Sequence, residues 1–159
     1  MFDTGSCLMH KSEGVCVVED VRTESFGGVS RDYYILRPLY ENTATTVFLP
    51  IESADKRLRV LFSREEGERL LQEAQTHLFV WEANDRVRQE LFQQQLRTCE
   101  TSQLLDILYL LRQRRKEVAQ QGKKLRFFDE HTLQECERLL SEEFAHAWGV
   151  EKSEALSRL

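Results

Sequence analysis

Few residues in this 159-residue sequence break it up or cross-link it. It has two prolines, seven glycines, four cysteines and two tryptophans. Cys7, Cys16, Cys99 and Cys136 are widely spaced and form no CxxC. That argues against a disulfide framework and for free, mostly buried thiols in a reducing, cytoplasmic setting. No window approaches about eighteen uninterrupted apolar residues, so no membrane span is expected. Met1-Phe2-Asp3-Thr4-Gly5 has no basic stretch leading into an apolar run, which excludes a usual signal peptide.

Chemistry-bearing patterns are missing as well. His10, His77, His131 and His146 make no HxH or HExxH spacing, and no Cys/His cluster suggests a metal. GxGxxG, GxxxxGK[ST] and GxSxG are absent, so nucleotide-binding and serine-hydrolase readings lack their motifs. The adjacent acids Glu65–Glu66 and Glu142–Glu143 project to different faces of a helix and suit solvated surface. Asp129 and Glu130 stand where a helix N-terminus favours carboxylates. Cys16 is the one thiol to weigh as reactive, and burial in a strand is its simpler reading. The expectation is a non-enzyme with no cofactor and no metal.

The composition is that of an ordinary folded chain, with 41% apolar and 31% charged residues. The length allows one compact domain or two small ones. A net charge of -5 argues against coating nucleic acid by charge alone.

Residues 1–62 have strand chemistry. Cys7–His10 is a short strand, and Val15–Val18 with Val21 is a β-branched strand of about seven residues. Ser25-Phe26-Gly27-Gly28 supplies a hairpin connection. Asp32–Leu36 returns and stops near Pro38, Thr45–Leu49 ends at Pro50, and Leu58–Leu61 adds a fifth strand. Short antiparallel strands with tight turns predict a small barrel or strongly bent sheet.

Residues 63–159 read as helix. Ser63 with Glu66 opens a helix over about 64–78, with Leu70, Leu71, Ala74 and Leu78 on one face. A second helix is expected from about Trp81 to Arg97, a third over 102–120 with Leu104, Leu105, Leu108, Leu111 and Val118 as its stripe, ended by Gly122. Asp129 is the expected cap of a fourth, which keeps Leu133, Cys136, Leu140, Phe144 and Trp148 in a 3–4 rhythm up to Gly149. Residues beyond Gly149 are expected to fray. The fold class is therefore α+β, a small antiparallel β-domain followed by a bundle of three to four helices.

Charge in the helical half is sorted. Seven Lys/Arg lie between Arg112 and Arg126 against the single Glu117, while eight acids lie between Asp129 and Glu154 against Arg138 and Lys152. A basic corner of this kind attracts phosphates locally, or it complements a helix dipole; both readings stay open here. The stretch Val80–Arg88, early in the helical half, carries Trp81 among polar and charged residues. It is either a packing joint or the tip of a binding surface.

The order of these pieces resembles the CarD/CdnL-type bacterial transcription regulators, whose N-terminal module is shared with the RNA-polymerase-interacting domain of the transcription-repair coupling factor. The resemblance is carried by Leu8–Val18, Asp32–Leu36, Val47–Pro50, the Trp81 segment, and Thr101–Arg115 leading into the last helix. It implies a Tudor-like module that docks on the RNA polymerase β subunit, with Glu24, Val47, Phe48 and Leu49 at the contact. It further implies a helical domain against promoter DNA near the upstream edge of the bubble, where Trp81 is a minor-groove wedge. Arg86 and Arg88 then touch phosphates, aided by Arg112, Arg114 and Arg115. Glu82 and Asp85 stand where the family is richer in bases, and Glu24 and Phe48 stand where arginine is common. The expected protein is a monomer or weak dimer with no membrane partner, binding DNA weakly and largely independently of sequence. The second reading is a protein–protein adaptor of the transcription machinery without direct DNA contact.

Overall fold

The computed structural model describes residues 1–159, which divide into two compact units, Met1–Phe62 and Ser63–Leu159. The first is a five-stranded antiparallel sheet in the order β4-β3-β2-β1-β5. Its strands are β1 (Cys7–His10), β2 (Gly14–Phe26), β3 (Val29–Pro38), β4 (Val47–Pro50) and β5 (Leu58–Val60). A single helical turn, α1 (Ala54–Arg57), links β4 to β5.

The β2–β3 hairpin is longer than its apolar run predicts, at 13 and 10 residues. Period-2 patterning finds only the buried base of this ribbon, because the outer half is largely exposed. Phe26 pairs with Val29, so Gly27-Gly28 forms a two-residue turn. Both glycines have positive φ, 60° and 79°, which a two-residue hairpin turn of type I′ requires. A register shift between Val18 and Asp20 bends the long ribbon. Pro50 closes edge strand β4, where a missing N–H costs nothing. Leu8, Cys16, Val18, Tyr34, Leu36, Leu49, Ala54 and Leu58 form the core.

The helical unit has five helices rather than three or four: α2 (Arg64–Ala74), α3 (Asp85–Thr98), α4 (Thr101–Gln120), α5 (Phe127–Trp148) and α6 (Lys152–Arg158). Ser63 caps α2, its Oγ accepting from the Glu66 N–H at 3.2 Å. The predicted stripes of α4 and α5 are buried from Leu104 through Phe144 and form the core of this unit.

Four expectations change. The first helix stops at Ala74, four residues early, so Leu78 lies outside it and is 97% exposed. Helix α3 starts at Asp85, capped by Asn84, which leaves Trp81 in an irregular segment; the helix buries Arg88 and Phe92 while Val87 and Leu91 stay near the surface. Asp129 is not a cap: α5 begins at Phe127, and Asp129 is buried in its first turn. The tail beyond Gly149 does not fray, because α6 packs on α5 with Ala155 fully buried. A seven-residue helix with one small buried residue leaves almost no periodic signal.

Candidate functional site

In the helical unit, the irregular segment between α2 and α3 runs over a cleft of about 290 Å³ lined by Trp81, Arg88, Arg114, Lys123, Arg126 and Asp129, among others. Two local acids build the segment. Glu82 Oε1 accepts from the Asn84 N–H at 2.9 Å, and Asn84 Oδ1 accepts from the Val87 N–H at 3.1 Å, starting α3. Asp85 pairs with Arg88 and Arg126, each at 2.8 Å. The hydrogen bond from Arg88, against some desolvation and with help from Arg126, holds the Asp85 carboxyl below the usual range. The two acids that stand among the expected bases are thus engaged in structure.

Beneath the tryptophan sits Arg88, buried rather than presented to solvent. Its Nε and Nη2 donate to the two oxygens of Asp129 at 3.0 and 2.8 Å, Nη2 also donates to Asp85, and Nη1 donates to the Glu82 carbonyl at 2.9 Å. Burial alone would lower its pKa, but hydrogen bonds to Asp129 and Asp85 raise it, so the guanidinium stays charged. The guanidinium carbon lies 4.4 Å from the centre of the Trp81 ring. On α4, Arg114 approaches the same ring at 4.9 Å. A half-buried indole held by two cations is the centre of the cleft.

The rim comes from the α4–α5 connection. Gly122, at φ 72°, ends α4: its N–H donates to the Ala119 carbonyl at 3.0 Å and the Lys123 N–H to the Val118 carbonyl at 2.9 Å, a Schellman closure. That turn carries exposed Lys123, Lys124 and Arg126 to the cleft. These three belong to the basic run visible in the sequence; only the turn shows that they, and not every cation of the run, line the cleft that Trp81 lines. Arg112 instead reaches Glu137 at 3.3 Å and the Leu159 carbonyl at 2.6 Å. Arg115 lies 3.9 Å from Glu130, and exposed Arg86 pairs with Glu90.

In the β unit, Phe26, Tyr33 and Phe48 meet edge to face with centroids 5.4 to 6.4 Å apart. Phe26 and Phe48 are 51% and 40% exposed, beside half-exposed Val29. This aromatic patch adjoins the free edge of β4. Residues 2–61 match a known family. The match is to the CarD-like/TRCF RID domain. Such domains are non-catalytic regulatory modules. No curated protein matches the chain.

Within the RID domain, the four residues expected at the polymerase contact fall in different settings. Phe48 is exposed on edge strand β4. Leu49 turns into the core, 6% exposed, and Val47 packs half-buried against it, so only their backbone lies along the edge. Glu24 is half-buried and pairs with Arg22 at 2.5 Å. No group of three or more His, Cys, Asp or Glu side chains is arranged to hold a metal. None of Cys7, Cys16, Cys99 and Cys136 forms a disulfide, and burial pushes the Cys136 thiol up. No helix is long and apolar enough to cross a membrane.

Proposed function

We propose that the chain is a non-enzymatic transcription regulator whose RID domain binds the RNA polymerase β subunit and whose helical unit contacts promoter DNA near the upstream edge of the bubble, changing the stability of the open complex. The observation that carries this reading is Trp81, held by Arg88 and Arg114 in a cleft rimmed by Lys123, Lys124 and Arg126. An aromatic side chain inserted at a distorted step offsets part of the unstacking cost without reading a base, and cations beside it grip phosphates. Trp81 is the wedge. Arg114, Lys123, Lys124 and Arg126 are the phosphate contacts at the cleft, with Arg86 and Arg115 outside its lining. Arg112, 23% exposed and outside the cleft lining, is held by both Glu137 and the Leu159 carbonyl and is not assigned a phosphate. On the RID side, the free β4 edge and the Phe26–Tyr33–Phe48 patch suit pairing with an edge strand of the partner.

Two measurements test the proposal together. Pull-down of the polymerase β subunit by the full chain and by 1–62 should succeed in both cases. Trp81→Ala should shorten or lengthen open-complex lifetime relative to the parent effect by roughly tenfold, the scale of losing a buried aromatic contact. Absence of polymerase capture removes the reading. The adaptor reading is favoured by the exposed Leu78, Val80 and Phe127, at 97%, 90% and 89%. It prevails where polymerase is captured and Trp81→Ala leaves the lifetime unchanged.

A further inference from the structure

We infer that Arg88 and Asp129, both buried, are a positioning pair that fixes the stance of Trp81. The consequence for promoter contact rests on the function proposed above; the positioning itself is a property of the free protein.

The segment that carries Trp81 is tied at its ends by side chains, His77 Nδ1 meeting Asp106 of α4 at 2.8 Å and Glu82 accepting from the Asn84 N–H at 2.9 Å. No helical ladder spans residues 77–84. Leu78 and Val80, flanking half-buried Phe79, point into solvent. Arg88 supplies what the segment lacks. One guanidinium donates to the Glu82 carbonyl one residue after the tryptophan, lies under the indole, and is itself clamped by both Asp129 oxygens from α5, 41 positions along the chain. The side chains of Arg88 and Asp129 are only 3% and 2% exposed.

Stability alone does not account for this arrangement. A buried ion pair contributes about as much as, or less than, apolar side chains of the same volume. An apolar pair would fill the space, yet it could neither hold the Glu82 carbonyl nor keep a cation against the ring. Lysine carries the charge but not the planar fork that reaches Asp129, Asp85 and Glu82 at once. The geometry is therefore specific to orientation. A wedge works only when its angle and depth are set before it meets its target, since a loose ring must be ordered on contact. Arg114, half-exposed and paired with Glu117 at 3.3 Å, lies against the ring from the more open α4 side.

The chain's two tryptophans make the test direct. In a Trp148→Phe background, Trp81 is the only fluorophore of its kind, and its anisotropy decay and acrylamide quenching are read in the free full-length protein. Arg88→Lys and Asp129→Asn should release the ring, raising the released population on the order of tenfold, the loss expected for one charged hydrogen bond. The double variant Arg88→Met/Asp129→Leu restores apolar packing and guards against simple unfolding. It should keep the helical circular dichroism while the ring stays mobile and quenchable. A Trp81 as immobile and shielded in the folded double variant as in the parent overturns the inference. Open-complex lifetime separates the two claims: with Trp81→Ala inert but the ring released by Arg88→Lys, positioning stands and the DNA reading falls. With Trp81→Ala active but the ring unmoved in every variant, the reverse holds.

Discussion

His10 is a polar group that the β fold has taken inside: it is 5% exposed, and its Nδ1 accepts from the Ser12 and Glu13 backbone N–H groups at 3.3 and 3.1 Å. Those bonds require the ring to be neutral with its proton on Nε2. Burial lowers its pKa below 6.5, with Glu13 raising it and Arg57 lowering it further. The unfolded chain therefore binds the proton more readily. Stability tied to this group is full above the unfolded pKa and is lost as pH falls from there through the lowered folded value. Denaturant unfolding of the full chain should show the RID domain weaker at pH 5 than at pH 7.5, and His10→Gln should flatten that difference. An equal pH dependence in the variant would assign the effect elsewhere. Arg88 shows why such roles are hard to read from sequence. It stands in a polar stretch and is written like a surface cation, and its partner Asp129 is too far along the chain for spacing to connect them. The sequence shows an aromatic in a charged stretch and a basic run further on; that they meet, and which cation is buried, depends on the packing of α3 against α4 and α5.

At the scale of elements, hydrophobic period reported the helices that bury a full stripe and misjudged the others. Helices α4 and α5 were legible nearly to their ends because Leu104 through Val118 and Leu133 through Phe144 all face the core. Helix α3 starts four residues later than expected because its buried face is Arg88 and Phe92, a face that Trp81 does not share. Among the strands, the pairing was visible but not the reach of the β2–β3 ribbon, whose tip carries apolar side chains without a core beneath them. That tip and β4 make one surface, where Phe48 lies across from Ile35 and against Phe26. Exposed aromatics packed on one another beside a free edge resemble the centre of an interface more than a surface accident. Phe48→Ser should therefore weaken capture of the polymerase β subunit by about 2 kcal/mol or more, in the range of aromatic hot spots. Unfolding midpoints should move little, because the ring is 40% exposed. Leu49→Ser should do the opposite, lowering stability first, since that side chain belongs to the core.

Across the whole molecule, charge is balanced in each unit and uneven within one. Residues 1–62 carry seven Lys/Arg against nine Asp/Glu, and residues 63–159 carry fifteen against eighteen, so neither unit is basic overall. Many of the helical unit's cations are already paired, as Arg64 is with Glu68, Arg69 with Glu73 and Arg86 with Glu90. The cleft is where they are not balanced locally: Arg114, Lys123, Lys124 and Arg126 surround it, while its acids Asp85 and Asp129 are taken up by arginines. A small cationic spot on an acidic molecule predicts a particular kind of DNA binding. On the function proposed above, long-range repulsion from the acidic surface should keep the free protein off DNA at ordinary ionic strength, and the short-range grip should operate once polymerase holds the cleft near the backbone. With about four phosphates engaged, log affinity against log salt should fall with a slope between about -3 and -4. Lys123→Gln/Lys124→Gln should bring that slope closer to zero by about 2 and weaken binding alike on unrelated duplexes. Trp81→Ala should leave the slope as it is, because the indole releases no counterions, and should act only on the promoter complex that polymerase has opened. Fluorescence titrations of labelled duplex over a range of salt, with and without polymerase, distinguish these. A slope that does not respond to the two lysines would place the phosphate contacts outside the cleft.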